Sequence, residues 1–479
     1  MAMVEIKEQL EPFFNPKSVA IVGATTRTGP GVFNVMENII SFGYRGEIYP
    51  VNPKYTEVLG KRAYKSVKDI PGPVDLVLIA VGRAIVPNII RDCAEKGVKS
   101  VIIVTQGFAE ADEEGKKLQD EYMEIARKAG MRIVGPNTLG THNFIDNFTS
   151  SFIPIKKREY DPIGVVCQTG LFFAGFPRFK YAKAIDVGGA VDVDHVDAIR
   201  YYTEDPNIKQ IFVHIEGFGR PGRGKEFIEA VREAKKRGKD VIVFKVGETE
   251  AGRKAVISHT ATLAVEDKVF DGILQQIGAF RVRDYNELQL VSSALLRLPR
   301  MKGKRIAMLT HHGASGVMAK DAAEEFGLEW ASISEKTVKA VKELSPPWLP
   351  IGNPIDIWPG LMGGPMMMHK TALKAVLEDE NVDGVLLSIH IADYSGWPAV
   401  GSYGHVDAIA ELAPQYDKPI IVVPIGVEQE ATRRALENIK NVMVCDTIRD
   451  AFQGFFLLLP LKYEYLSGRG ELCEIENIT

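Results

Sequence analysis

The chain has 479 residues, 46% of them hydrophobic and 25% charged, and its 58 Lys plus Arg against 62 Asp plus Glu leave a net charge of -4. That length suits about three domains, and the mixture excludes collagen-like and disordered classes. With no long block of one sign, nucleic-acid binding is not expected.

Cys93, Cys167, Cys445 and Cys473 include no pair at metal-ligand spacing, so neither a disulfide framework nor a metal site is predicted and the thiols are expected to be reduced. The start, MAMVEIKEQLEPFF, carries acids and no continuous apolar core. Apolar runs fall short of the roughly 18 to 20 residues a membrane helix needs. The expectation is a cytoplasmic protein without membrane association.

Short β-branched runs alternate with amphipathic stretches, the pattern of parallel sheets covered by helices. In the first block, Ser18 to Val22, Glu47 to Val51, Asp75 to Val81, Ser100 to Thr105 and Met131 to Val134 read as strands. A second block opens with the strand Ile163 to Cys167, and a third with Arg305 to Leu309. The last two read as copies. Cys167-Gln168-Thr169-Gly170 matches Thr310-His311-His312-Gly313, Ile185-Asp186 matches Ile355-Asp356, His214-Ile215 matches His390-Ile391, and Lys239 to Gly247 matches Lys418 to Gly426. Two unrelated domains of one class are the alternative. After Gly247 the second block continues GETEAGRKAVISHTATLA, whereas the third has no histidine at the corresponding place. His259 is therefore the leading reactive residue.

The turn Gly23-Ala24-Thr25 follows a strand, and its amides suit a phosphate or pyrophosphate. Thr25 stands where a redox-dinucleotide fingerprint wants glycine, which disfavours an NAD site. After the second strand Asn52 and Lys54 suit a phosphorylated ribose better than an acid would. A phosphoryl-accepting histidine needs a group that orients its ring and dipoles that hold phosphoryl oxygens. Glu216 is the candidate orienter, and the amides of Gln168, Thr169 and Gly170 are the candidate cradle. Cys167 reads as a small residue ending a buried strand. His311 and His312, being adjacent, point apart, and His142, His195, His369 and His405 show no recognisable partners.

The order PKSVAIVGAT, IYPVNPK, VDLVLIAV, GFAE, GPNTLG, QTG, IEG, KVGETEAGRKAVISHTATLA, THHGASG and NPIDI resembles the α subunit of the NDP-forming acyl-CoA synthetases. These include ADP-forming acetate–CoA ligases and are related to succinyl-CoA synthetase. The resemblance implies an α/β chain with a Rossmann-like CoA-binding domain over 1–142 and two flavodoxin-like CoA-ligase domains, over 143–298 (with the histidine loop) and 299–479. It implies interconversion of acyl-CoA, ADP and phosphate with carboxylic acid, CoA and ATP, through an acyl phosphate and a phosphohistidine. Carried over by motif, His259 is the phosphohistidine and Glu216 its support. The CoA site takes Gly23, Ala24, Thr25, Val51, Asn52, Lys54, Ala80, Val81, Gln106 and Asn137. ADP or ATP and Mg2+ belong on an ATP-grasp β subunit, in a hetero-oligomer of two α and two β chains.

Departures from the family pattern are Cys167 and Thr169 in place of serines, the bulky Phe172 and Phe173, Trp358 after NPIDI, and Ala261 in the histidine loop. They point to an altered acid pocket or a slower loop. A non-catalytic acyl-CoA-binding module and a CoA-dependent acyltransferase remain as alternatives.

Overall fold

The computed structural model describes residues 2–174, 176, 179–220, 222–260, 266–361, 365–390, 403–426 and 429–459. The chain divides into two compact units, Met1–Leu288 and Gln289–Thr479.

The first unit holds two large sheets and a small hairpin of Glu57–Val58 with Lys61–Arg62. The amino-terminal one contains β1 (Ser18–Val22), β2 (Glu47–Val51), β3 (Leu76–Ile79), β4 (Ser100–Ile103) and β5 (Arg132–Val134) in the spatial order β2-β1-β3-β4-β5, all parallel. The next contains β6 (Gly140–Asn143), β7 (Phe148–Thr149), β8 (Ile163–Cys167), β9 (Lys183–Asp186), β10 (Gln210–Ile215), β11 (Asp240–Lys245) and β12 (Phe280–Val282). Its order is β12-β11-β10-β8-β9-β6-β7, with β8 to β12 parallel and the β6–β7 hairpin antiparallel at the edge. His142 pairs with Ala184 of β9. A boundary after His142 therefore cuts a strand, because backbone hydrogen bonds commit the segment from Gly140 onward to the second sheet.

The second unit carries β13 (Arg305–Thr310), β14 (Glu329–Trp330), β15 (Ile355–Asp356), β16 (Gly384–His390), β17 (Ile420–Ile425) and β18 (Val442–Val444) in the order β14-β13-β16-β17-β18, with β15 also against β13. With β15, which pairs β13 off the main path, left out, the parallel strands numbered within each of the three sheets follow 2-1-3-4-5, the doubly wound flavodoxin order. Every residue of β1, β3, β4 and β8 is buried, as expected of strands covered on both faces, and these are the near-continuous apolar runs of the sequence. Helix ends are set locally. Asp112 accepts the Gly115 amide at 2.7 Å, and Gly130, at φ 63°, stops the helix Glu113–Ala129.

Strand register tests the internal repeat. Cys167 lies opposite Asp186 and Thr310 opposite Asp356, so the Ile-Asp match is exact in register. The match of His214 to His390 is not. Val166 faces Val213 and Leu309 faces Leu387, which equates His214 with Ser388, two residues before His390. A slip of two leaves every side chain on the same sheet face, so alternation alone does not reveal it.

Candidate active site

The loops that follow β1, β2, β3, β4 and β5 all leave the carboxyl edge of the first sheet, and the order reverses between β1 and β3. That switch point is where open α/β sheets bind ligands. Gly23 sits there at φ +96°, and a Cβ on it would lie 2.4 Å from Ala80 O and 2.9 Å from Val81 Cγ1. Only a bare backbone fits. The Gly23 amide donates to Val51 O at 3.0 Å, and the Ala80 amide to Val22 O at 3.0 Å. Asn52 ties two loops together, its Nδ2 donating to Ala24 O at 2.8 Å and its Oδ1 accepting the Lys54 amide at 3.0 Å. Thr105 Oγ1 donates to Val81 O at 2.7 Å, and the Asn137 amide to Thr105 O at 3.0 Å. Asn137 holds φ 57°, a left-handed conformation that asparagine tolerates. Ala24 and Val51 are buried, Thr25 is half-buried, and Lys54, Gln106 and Asn137 are exposed.

The structure thus brings the ten expected CoA-site residues to one edge of one sheet. The bare Gly23 backbone and the exposed lysine fit a ligand that approaches the main chain closely and carries phosphate. The helix after this turn starts later than the turn suggests, at Val35, with Asn34 as its cap. Asn34 Oδ1 accepts the Glu37 amide at 3.2 Å, and its Nδ2 donates to Thr25 O and Arg27 O at 3.2 and 2.8 Å. Glu37, in the first helical turn, also accepts the Gly29 amide at 3.4 Å. Glu37 thus places a carboxylate at the helix end and against the Gly29 amide of the 23–31 loop.

A second cluster lies at the carboxyl edge of the second sheet. Gln168 is buried after β8, and its Oε1 accepts the Glu216 amide at 2.8 Å. Its Nε2 is buried with no hydrogen-bond partner among the described residues, a donor beside Glu216. Thr169 Oγ1 accepts the Leu171 amide at 3.3 Å, so the threonine hydroxyl caps the short helix Leu171–Ala174. At Gly170 an added Cβ would lie 2.6 Å from Leu139 Cδ1, so the leucine side chain would have to shift to make room. Glu216, 6% exposed, follows β10.

Asp186 completes this edge and was not singled out as a site residue. Its carboxylate accepts the Leu139 and Gly188 amides at 2.8 and 3.1 Å. Burial pushes its pKa up to about 6, the backbone bonds oppose the rise, and the Glu216 charge adds to it. The signal in the sequence was the Ile-Asp repeat, which marked Asp186 as a framework position only.

Cys167 is fully buried, and burial drives its thiol pKa well above the ordinary value, the state of an inert core residue. Phe172 and Phe173 are buried too, Phe172 against Phe212 and His214 with ring centroids 4.9 and 5.1 Å apart. The bulk after the QTG turn goes into the domain core. The helix Glu250–Thr260 takes in the backbone of His259; the side chains of 257–260, and residues 261–265 including Ala261, lie outside the described residues. Among the described residues no helix is long and apolar enough to cross a membrane, and Cys93, Cys167 and Cys445 are free and buried.

Comparison with known proteins places these two edges in a family. Residues 17–143 match the CoA binding domain and residues 162–295 the succinyl-CoA ligase like flavodoxin domain. The chain is 34% identical to the acetate–CoA ligase [ADP-forming] II subunit alpha of Pyrococcus furiosus, over 89% of this chain and 93% of that one. It is 38% identical to acetate–CoA ligase [ADP-forming] II of Archaeoglobus fulgidus over 79% of this chain, but spans only 57% of that longer protein. Among solved structures, the dinucleotide forming acetyl-coenzyme A synthetase 1 of Ca. Korarchaeum cryptofilum, in complex with phosphate and ADP, superposes with a TM-score of 0.82 at 29% identity, covering 94% of this chain and 96% of that one. Matched by both domain models and, over nearly the full length of each chain, by an α subunit, the chain belongs to the ADP-forming acetate–CoA ligase α-subunit family.

Proposed function

We propose that this chain is the CoA- and phosphate-handling subunit of an ADP-forming acyl-CoA ligase. Phosphate attacks the acyl-CoA thioester to give acyl phosphate and CoA. A ring nitrogen of His259 then takes the phosphoryl group and carboxylate leaves, and ADP takes the phosphoryl group from the histidine to become ATP. In this reading the loops at Gly23, Ala24, Thr25, Val51, Asn52, Ala80, Val81, Gln106 and Asn137 hold CoA, with Lys54 supplying charge for its ribose phosphate. The amides of Gln168, Thr169 and Gly170 hold phosphoryl oxygens, and Glu216 fixes the imidazole tautomer through a carboxylate bond. ADP and Mg2+ are held by an ATP-grasp β subunit in a two-α, two-β assembly working in the cytoplasm. The division at 142 and 298 is the domain plan we assign to the chain, adjusted at the β6 strand.

The observation that supports the reading most is the buried tie between Gln168 and Glu216. It fixes the proposed cradle and the proposed orienter as one unit and leaves a donor, Gln168 Nε2, beside them. A labelling experiment tests it. Incubating the purified chain with acetyl-CoA and radiolabelled phosphate is expected to give one acid-labile, alkali-stable phosphoryl group per chain, absent in His259→Ala. Addition of ADP, Mg2+ and the ATP-grasp partner should move the label into ATP. Lack of label across a panel of acyl-CoA thioesters, with CoA still bound, would leave the chain a binding module.

A further inference from the structure

Three histidines from three separate elements meet in the second unit. His311 follows β13, His369 lies on the helix Pro365–Glu378 and His405 on the helix Tyr403–Leu412. Each is about 5 to 6% exposed. One ring nitrogen from each lies within 4.8 Å of the others. The ring centroids are 3.2 Å apart for His369 and His405, 4.7 Å for His311 and His405, and 5.1 Å for His311 and His369.

Packing alone does not account for this arrangement. Imidazoles in a core normally spend their nitrogens on carbonyls, carboxylates or water, yet among the described residues Nε2 of His311 is buried with no hydrogen-bond partner. Neutral imidazole is the form that ligates a metal. At metal–nitrogen distances of about 2.0 to 2.1 Å, tetrahedral ligand nitrogens stand roughly 3.3 Å apart, so ligation requires the His369 and His405 rings, 3.2 Å apart at their centroids, to swing apart around the ion. The cluster stands where β13 and β16 end, since the His311 amide donates to Ser388 O at 3.2 Å, the edge at which doubly wound domains bind ligands.

We propose that His311, His369 and His405 form a metal site for a divalent first-row transition ion, with zinc the best match. The donor set decides the class of ion. Among the described residues it is all imidazole, with no carboxylate in the group, which suits zinc, copper, nickel or iron and disfavours magnesium and calcium. Three protein nitrogens leave a fourth tetrahedral position for water or another ligand.

One hydrogen bond ranks the three ligands. Nδ1 of His311 accepts the His390 amide at 3.0 Å, so the neutral ring carries its proton on Nε2. For Nε2 to ligate, that proton moves to Nδ1 and the bond to the His390 amide is given up. His369 and His405 are therefore the primary pair, and His311 closes the site. The three histidines belong to the second unit and the residues assigned to CoA and phosphate to the first, and the test of the metal site needs no turnover.

The experiment takes the tag-free full chain, strips it with a chelator, dialyses it against zinc or cobalt(II), and measures bound metal by elemental analysis. One equivalent per chain is expected, with cobalt giving the intense visible bands of a four-coordinate site. His369→Gln and His405→Gln should each lose the equivalent and the bands, and His311→Gln should bind more weakly. Should the variants fail to fold, zinc-edge absorption on the wild-type chain reads the ligands directly, and three imidazoles are expected. Substoichiometric uptake by the wild type, retention of metal by the folded variants, or a zinc shell without imidazole would overturn the proposal.

Discussion

Asp186 shows what a single buried carboxyl does at this edge. Its pKa of about 6 against an ordinary 3.8 means that the folded chain holds the proton more tightly than the unfolded one between those values. The stability it lends is complete below about pH 4 and is lost as pH rises to about 6, up to about 3 kcal/mol. Asp186→Asn is expected to remove this slope, leaving urea stability flatter between pH 4 and 6. An unchanged slope would move the titration to another group. By contrast Gln168, the residue that anchors Glu216, is legible in the sequence as part of the QTG turn. Its real contact, a side-chain bond to an amide 48 positions away, is not, because a strand order must be known before two strand ends become neighbours.

Among elements, the turn after β1 carries the tightest constraint. Gly23 combines a positive φ with a 2.4 Å approach of any added Cβ to Ala80 O. Both penalties fall on backbone, which cannot step aside as a flexible side chain would. Gly23→Ala is expected to cost about 1 to 3 kcal/mol in denaturant unfolding. It should also weaken CoA binding at least about tenfold in calorimetric titration, because a misplacement of about 1 Å suffices for that loss. Retained affinity would take the 23–31 loop out of the CoA site. The glycine and its strand were readable in advance. The start of the following helix was not: the sequence suggests that it opens from the turn, while Asn34 delays it to Val35 by capping with Oδ1 and holding the loop with Nδ2. Such a cap is decided by which of several polar residues the loop path brings into reach.

In the molecule as a whole, each compact unit owns a buried core, that of the second formed around residues such as Leu387, Val422 and Val376. Two calorimetric transitions are expected. Leu387→Ala should destabilise one by about 2 to 5 kcal/mol and leave the other in place; equal shifts in both would mean one cooperative unit. The three doubly wound sheets and the positions of their edge turns follow from local sequence, because hydrophobic period and turn chemistry act over a few residues. The family is likewise carried by contiguous motifs. The partners of Gln168, the pairing of β6 with the second sheet, the fate of Phe172 and Phe173 and the two-residue slip of His214 required the fold. The three histidines make the contrast sharpest. The rings of adjacent His311 and His312 stand 6.2 Å apart at their centroids, closer than opposite-facing neighbours would be, and His369 and His405 have no neighbour in sequence to mark them. Their meeting depends on helix and strand packing over residues 311 to 405, a long-range arrangement that no local pattern encodes.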